Sequence, residues 1–168
     1  MLNLPLNWKG HSHLNIRSSE LLRDKRNVGL LALLQDEPRL AISKLARRVG
    51  MSAPAVRERI LRLEEAGVIR GYRLELDSAA LGYPVSAYVR VRPAPGQLPK
   101  IAELARSLPQ VVECHRITGE DCFMVKIYLP SIDELDQALN QFLVYGQTTT
   151  SIIQSTPVPP RALPLPAP

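Results

Sequence analysis

The stretch KLARRVGMSAPAVRERI, Lys44 to Ile60, decides the fold. Ile42, Leu45, Ala46 and Val49 recur at i, i+3, i+4 and i+7, a single apolar stripe on a helix. Lys44, Arg47 and Arg48 fall off that stripe. Gly50 stands where a helix stop is expected, because glycine enters the left-handed conformation without steric cost. Ser52 reads as the N-cap of a second helix. Pro54 is tolerated in a first turn whose N–H groups lack intrahelical partners. A second stripe follows at Ala53, Val56, Ile60 and Leu63, and Gly67 supplies the next stop. Two short helices joined by a tight glycine turn predict a helix-turn-helix.

The second helix carries Arg57, Arg59 and Arg62 away from its apolar stripe. Its leading turn is small: Ser52, Ala53 and Pro54. A helix that enters a DNA major groove needs such a slim end and cationic flanks. The candidate DNA-binding residues are therefore Lys44, Arg47, Arg48, Ser52, Ala53, Pro54, Arg57, Arg59, Arg62 and, in the turn that follows, Arg70. The competing reading is a solvated helix pair with ordinary surface arginines.

Charge weighs against that plainer reading. The chain has 168 residues with 21 Lys/Arg against 16 Asp/Glu. Residues 21 to 76 alone hold 12 Lys/Arg and 7 Asp/Glu, a net +5, whereas residues 77 to 168 are net −1. The positive field belongs to the half with the two helices, which points to a polyanion as its partner.

Working outward, residues 1–19 read as a polar tail. Residues 20–77 read as a winged helix-turn-helix: a helix from Leu21 to Gln35, the two helices above, then a small hairpin in which Tyr72, Leu74 and Leu76 alternate with Arg73 and Glu75. Residues 78–83 are a linker rich in small side chains. Residues 84–156 read strand, helix, strand, strand, helix, strand, with Ser131 capping the second helix. This βαββαβ order is ferredoxin-like: two helices cover one face of a four-stranded antiparallel sheet. The opposite face has no cover within the chain and carries sizeable side chains, so pairing with a second copy is expected. Residues 157–168 form a tail with six prolines, read as extended and disordered. The fold class is α+β.

Several classes are disfavoured. No apolar run reaches the ~18–20 residues of a membrane span, and the start of the chain lacks the uninterrupted apolar core of a secretory signal. A cytoplasmic protein without a membrane role is expected. Two cysteines, Cys114 and Cys122, are too few for a disulfide scaffold and read as buried free thiols. His11 and His13, with no acid or cysteine near them, do not read as a metal site. No metal, cofactor or catalytic residue set is expected. His115 on a strand reads as packing or interface.

The segment LARRVGMSAPAVRERILRLEEAGVIRGYRLELDSAALGY, Leu45 to Tyr83, with VECHRITGEDCFMVKIYLPSIDELDQAL and TTTSII, resembles the Lrp/AsnC family of bacterial transcription regulators. The likeness runs from about Leu22 to Val158. It implies a first half that binds double-stranded DNA. It implies a second half that dimerises, assembles further as rings of dimers, and senses a small effector, often an amino acid. The effector-binding positions it implies are the strand turn Gly119, Glu120, Asp121 and Cys122, with Thr148, Thr150 and Ser151 of the last strand. Where the family's turn reads Gly-Asp-x-Asp, the second acid is here Cys122. At the start of the first helix, Arg23-Asp24 and Asn27 stand where the family has Leu-Asp and a second Asp.

Two other functions share parts of this plan. Certain siroheme-type tetrapyrrole decarboxylases resemble it, but need cationic and histidine side chains around a cavity. Only one of the three histidines lies in the second half, and no Ser/His/Asp or paired-carboxylate set is evident. An interaction protein that has lost DNA binding is opposed by the arginines of the second helix.

Overall fold

The computed structural model describes residues 16–167. Two compact units are present. One comprises the described residues up to Arg73 together with those from Pro160 onward; the other runs Leu74–Pro159. The expected tail of residues 1–19, with His11 and His13, lies mostly outside the described residues.

The first unit holds four helices: α1 (Ile16–Leu21), α2 (Lys25–Asp36), α3 (Ile42–Arg48) and α4 (Ala53–Glu65). The single helix expected from Leu21 to Gln35 is thus broken after Leu21. The cause is Asp24, whose carboxylate accepts the Arg26 N–H at 2.8 Å and caps α2 afresh. α1 also takes up the end of the expected tail, and Ser18 Oγ donates to the Ala66 carbonyl at 3.1 Å.

The helix-turn-helix is built as its glycines require. Gly50 and Gly67 have φ of 64° and 71°. Beyond each, the next N–H reaches back: Met51 to the Ala46 carbonyl and Val68 to that of Leu63, both at 2.9 Å. Carbonyls that the helix leaves open are satisfied by that reach. Ser52 caps α4, its hydroxyl accepting the Ala55 N–H at 3.4 Å. The apolar stripes meet in one core of Leu30, Leu34, Leu45, Ala46, Val56 and Ile60. Leu45, Leu63 and Leu30 are fully buried, so truncating any of them to Ala costs ~2–5 kcal/mol.

The expected wing hairpin is not formed by the chain itself. Residues 70–77 carry no strand, and Tyr72, Leu74 and Leu76 are exposed. An alternating segment becomes a strand only beside another strand, and among the described residues none lies beside it. The proline-rich tail has no regular structure either, yet Gln35 Nε2 donates to the Leu163 carbonyl at 3.1 Å, which ties it to the first unit.

The second unit follows the expected order: β1 (Val85–Pro93), α5 (Leu98–Ser107), β2 (Val111–Arg116), β3 (Phe123–Leu129), α6 (Ile132–Leu143) and β4 (Gly146–Ile152). Its strands lie in the order β2-β3-β1-β4, all antiparallel. Inward residues Ala87, Val89, Val91, Phe123, Val125, Ile127 and Leu129 pack with Ile101 and Ala105 of α5 and Leu135 and Phe142 of α6. Ser131 caps α6 as expected, its Oγ accepting the Glu134 N–H at 3.4 Å. Gly146 opens β4 where an added Cβ would run into the Arg92 carbonyl. Cys114, expected to be buried, is exposed on the edge strand β2, while Cys122 is half-buried; both are free thiols. No helix among the described residues is long and apolar enough to cross a membrane.

Candidate nucleic-acid interface and effector site

The cationic residues of the first unit separate into committed and uncommitted ones. Lys44, Arg47 and Arg48 are exposed on α3; of these, only Arg48 is ion-paired among the described residues, with Glu37. On α4, Arg62 donates from Nε to Glu58 at 3.0 Å, a one-turn pair that neutralises an acid on the helix surface. Arg59, expected among the groups that face DNA, turns inward. Its Nη1 donates to Asp24 Oδ2 at 2.5 Å and to Asn27 Oδ1 at 2.7 Å, and its side chain is 27% exposed. Asn27 is buried and in turn donates to the Leu21 carbonyl at 2.9 Å. The Arg59 bond, then the Arg26 N–H, hold the Asp24 carboxyl below its ordinary value. The network lines a cleft of about 620 Å³, with Glu20, Glu58 and Glu65 also on its wall.

Arg57 remains. It is exposed and has no ion pair or hydrogen-bond partner among the described residues. Ser52 and Pro54 are exposed at the same end of α4, and Ala53 is half-exposed. Ser52 accepts from Ala55, so its hydroxyl proton is still available to an acceptor outside the chain. Arg70 is exposed in the segment after α4. The arrangement is a slim, capped helix end with an unspent guanidinium one turn behind it.

In the second unit the strand turn is already electrically satisfied. Gly119 has φ of 110° in the turn between β2 and β3. Glu120 pairs with Arg92; Asp121 lies 3.5 Å from Arg90 and 3.7 Å from Arg92. The sequence reading missed both arginines. They occupy outward positions of β1, on either side of the buried Val91, and only the strand register brings them beside the acidic turn. The Cys122 thiol donates weakly to the Glu120 carbonyl at 3.9 Å.

The last strand divides. Directly opposed residues of an antiparallel pair share a face. Thr148 and Thr150 oppose the core residues Val91 and Val89, so they lie on the helix-covered side. Ser151 opposes Tyr88, and Thr149 opposes Arg90, so both lie on the uncovered side. The three expected positions therefore do not converge on one face; Thr149 and Gln147, which opposes Arg92, join the arginine cluster instead.

The uncovered face is amphipathic. Lys126 Nζ sits 5.8 Å from the Tyr88 ring centre and 5.4 Å from that of Tyr128, within cation–π range. Burial opposes its charge, but the Tyr128 hydroxyl, Tyr88 and Glu113 outweigh that and raise its pKa. A hollow of about 270 Å³ opens there between Tyr88, Arg90, Met124 and Ser151.

Comparison with known proteins agrees with both halves. Residues 23–70 match a winged helix-turn-helix DNA-binding family, and residues 86–163 match the Lrp/AsnC ligand-binding domain. The chain is 33% identical over 132 residues to the HTH-type transcriptional regulator LrpC of Bacillus subtilis, covering 79% of this chain and 92% of that one. It is 40% identical over 106 residues to the leucine-responsive regulatory protein of Rhizobium meliloti, covering 61% of this chain and 68% of that one. The solved structure of B. subtilis LrpC superposes with a TM-score of 0.75 at 32% identity, over 79% of this chain and 95% of that one. A transcriptional regulator of Neisseria meningitidis in complex with L-Met shares the fold, with a TM-score of 0.78 at 24% identity, over 84% and 96% of the two chains.

Proposed function

Since this chain belongs to the Lrp/AsnC family of transcriptional regulators, with a DNA-binding helix-turn-helix and a ligand-binding domain, we propose that α4 reads operator DNA through Arg57 and that the second unit binds an amino acid. The observation that carries the first part is the uncommitted Arg57 behind the Ser52-capped end of α4. Lys44, Arg47 and Arg70 approach phosphates, whereas Arg48 and Arg62 offset the acids they bind, Glu37 and Glu58. Arg59 is a structural residue of the unit. The decarboxylase alternative finds no support in these matches.

For the effector, the turn Gly119–Cys122 and the Arg90–Arg92 pair form a ready-made set of opposite charges. An amino acid carries the complementary set: its carboxylate goes to Arg90, and its ammonium to Asp121. Guanidinium and carboxylate meet as a fork. The Neisseria relative seen with L-Met supports an amino acid as the class. Residues 84–156 pair with a second copy through Tyr88, Met124 and Tyr128, and the exposed Leu74 and Leu76 supply a further strand for that partner. Higher assemblies of dimers follow in this reading. A ligand that binds one arrangement of copies better than another then shifts DNA affinity from a distance, which is what allostery requires. A regulator of this kind acts in the cytoplasm.

Selection of bound duplexes from random DNA, followed by calorimetry against the twenty amino acids, tests both parts. Enrichment of a two-half-site sequence and heat with at least one amino acid are expected. Failure to enrich any sequence would refute the DNA reading, and no heat with any of the twenty would refute the effector reading.

A further inference from the structure

A single exposed leucine is ordinary on a protein surface. Leu61 is not ordinary in its position. It is 48% exposed on α4, where the apolar neighbours Val56, Ile60 and Leu63 are all buried. It belongs instead to the outward face, one turn behind Arg57 and two behind Pro54, both exposed. Of the charged groups around it, Glu58 and Arg62 are bound to each other, and the exposed Glu64 and Glu65 follow one turn on. Ahead of those two acids, the leading turns of α4 offer Pro54, Arg57 and Leu61 outward: apolar, cationic, apolar.

In the major groove, the thymine C5-methyl is the one apolar group among base edges otherwise read by hydrogen bonds, and guanine is the base best matched by arginine. We propose that Leu61 reads a thymine through its methyl group, close to a guanine read by Arg57. The inference rests on the DNA-binding role of α4 given above and adds a base preference to it. Four residues of helix advance about 6 Å, and stacked base pairs advance about 3.4 Å. The two bases therefore lie within about two base pairs of each other.

Deoxyuridine lacks only the methyl. The full chain is used to select short duplexes from a random pool, and each thymine of the selected site is then replaced singly by deoxyuridine. Affinities are read by fluorescence anisotropy at one salt concentration, for the wild-type chain and for Leu61→Ala. At one position per half-site the wild type should lose about fourfold, the worth of one buried methyl. Leu61→Ala should bind the thymine and deoxyuridine duplexes equally at that position, with unchanged thermal midpoint and light-scattering mass. Tolerance of deoxyuridine everywhere, or sensitivity that persists in Leu61→Ala, would overturn the inference while leaving DNA binding intact. A changed mass in Leu61→Ala would overturn it too, by assigning the leucine to a contact between copies. If no duplex is selected at all, the underlying DNA reading falls first.

Discussion

Arg59 and Asp24, 35 residues apart in the chain, meet at 2.5 Å between Nη1 and Oδ2. The contact joins α4 to the capped start of α2 and commits one of the three arginines of α4 to that junction. The same guanidinium satisfies the buried Asn27 oxygen at 2.7 Å.

Arg59→Ala should therefore be a stability variant. It leaves the Asn27 oxygen buried without its donor, which costs about 1–3 kcal/mol. Arg57→Ala should leave stability within ~0.5 kcal/mol, as an exposed substitution without partners does. Chemical denaturation of the two variants checks this contrast, and equal losses would contradict it.

Acid should act through the same pair. Asp24 titrates below its ordinary value, first because of the Arg59 bond and next because of the Arg26 N–H. A depressed folded-state pKa contributes stability that is complete above the unfolded value and is lost as pH falls through the folded one. Asp24→Asn should show a shallower fall in thermal midpoint than the wild type as pH drops below about 4, the ordinary carboxylate value. A parallel fall in the two chains would remove Asp24 from the acid response.

The helix-turn-helix is legible in the sequence because its signals are local: two apolar stripes at helical spacing, a serine cap and glycines at the stops. The βαββαβ order is legible for the same reason. The Asp24–Arg59 and Asp121–Arg90 pairs are not, because each depends on which residues distant in sequence the fold brings together. Arg90 and Arg92 looked like mere outward positions of β1 until the register placed them beside the turn. The faces of Thr148, Thr150 and Ser151 are likewise set by register, since a shift of one residue exchanges the two sides of a strand. The wing failed for a different reason. The alternation at Tyr72, Leu74 and Leu76 reports a capacity to pair, and among the described residues no strand lies beside it.

Assembly should depend on the uncovered sheet face. Met124 lies in its middle, half-buried beside the hollow lined by Tyr88, Arg90 and Ser151. In light scattering at micromolar concentration the wild type is expected as a dimer and Met124→Asp as a monomer, with unchanged circular dichroism. An unaltered mass would refute sheet-to-sheet pairing.

Effector binding should need both signs of the turn cluster. Arg90→Ala and Asp121→Ala should each weaken by about tenfold or more the amino acid that stabilises the wild type in thermal shift, since a charged hydrogen bond contributes roughly 1.5–3 kcal/mol. Thr148→Val, on the helix-covered side, should leave that affinity unchanged. A response that survives Asp121→Ala would show that Asp121 is not the ammonium partner.

The central claim is that α4 holds DNA and reads it through Arg57. Its most direct test is the affinity of the wild type, Arg57→Ala and Arg47→Ala for a selected duplex across a range of salt concentrations. Wild-type binding should weaken steeply with salt as phosphate neutralisation releases counterions. Arg47→Ala should lower the salt slope by about one and weaken all sequences alike, whereas Arg57→Ala should cost about 1–3 kcal/mol and relax preference at one base pair. Affinity that stays flat from low to high salt, or an Arg57→Ala chain with full affinity and unchanged preference, would contradict the account.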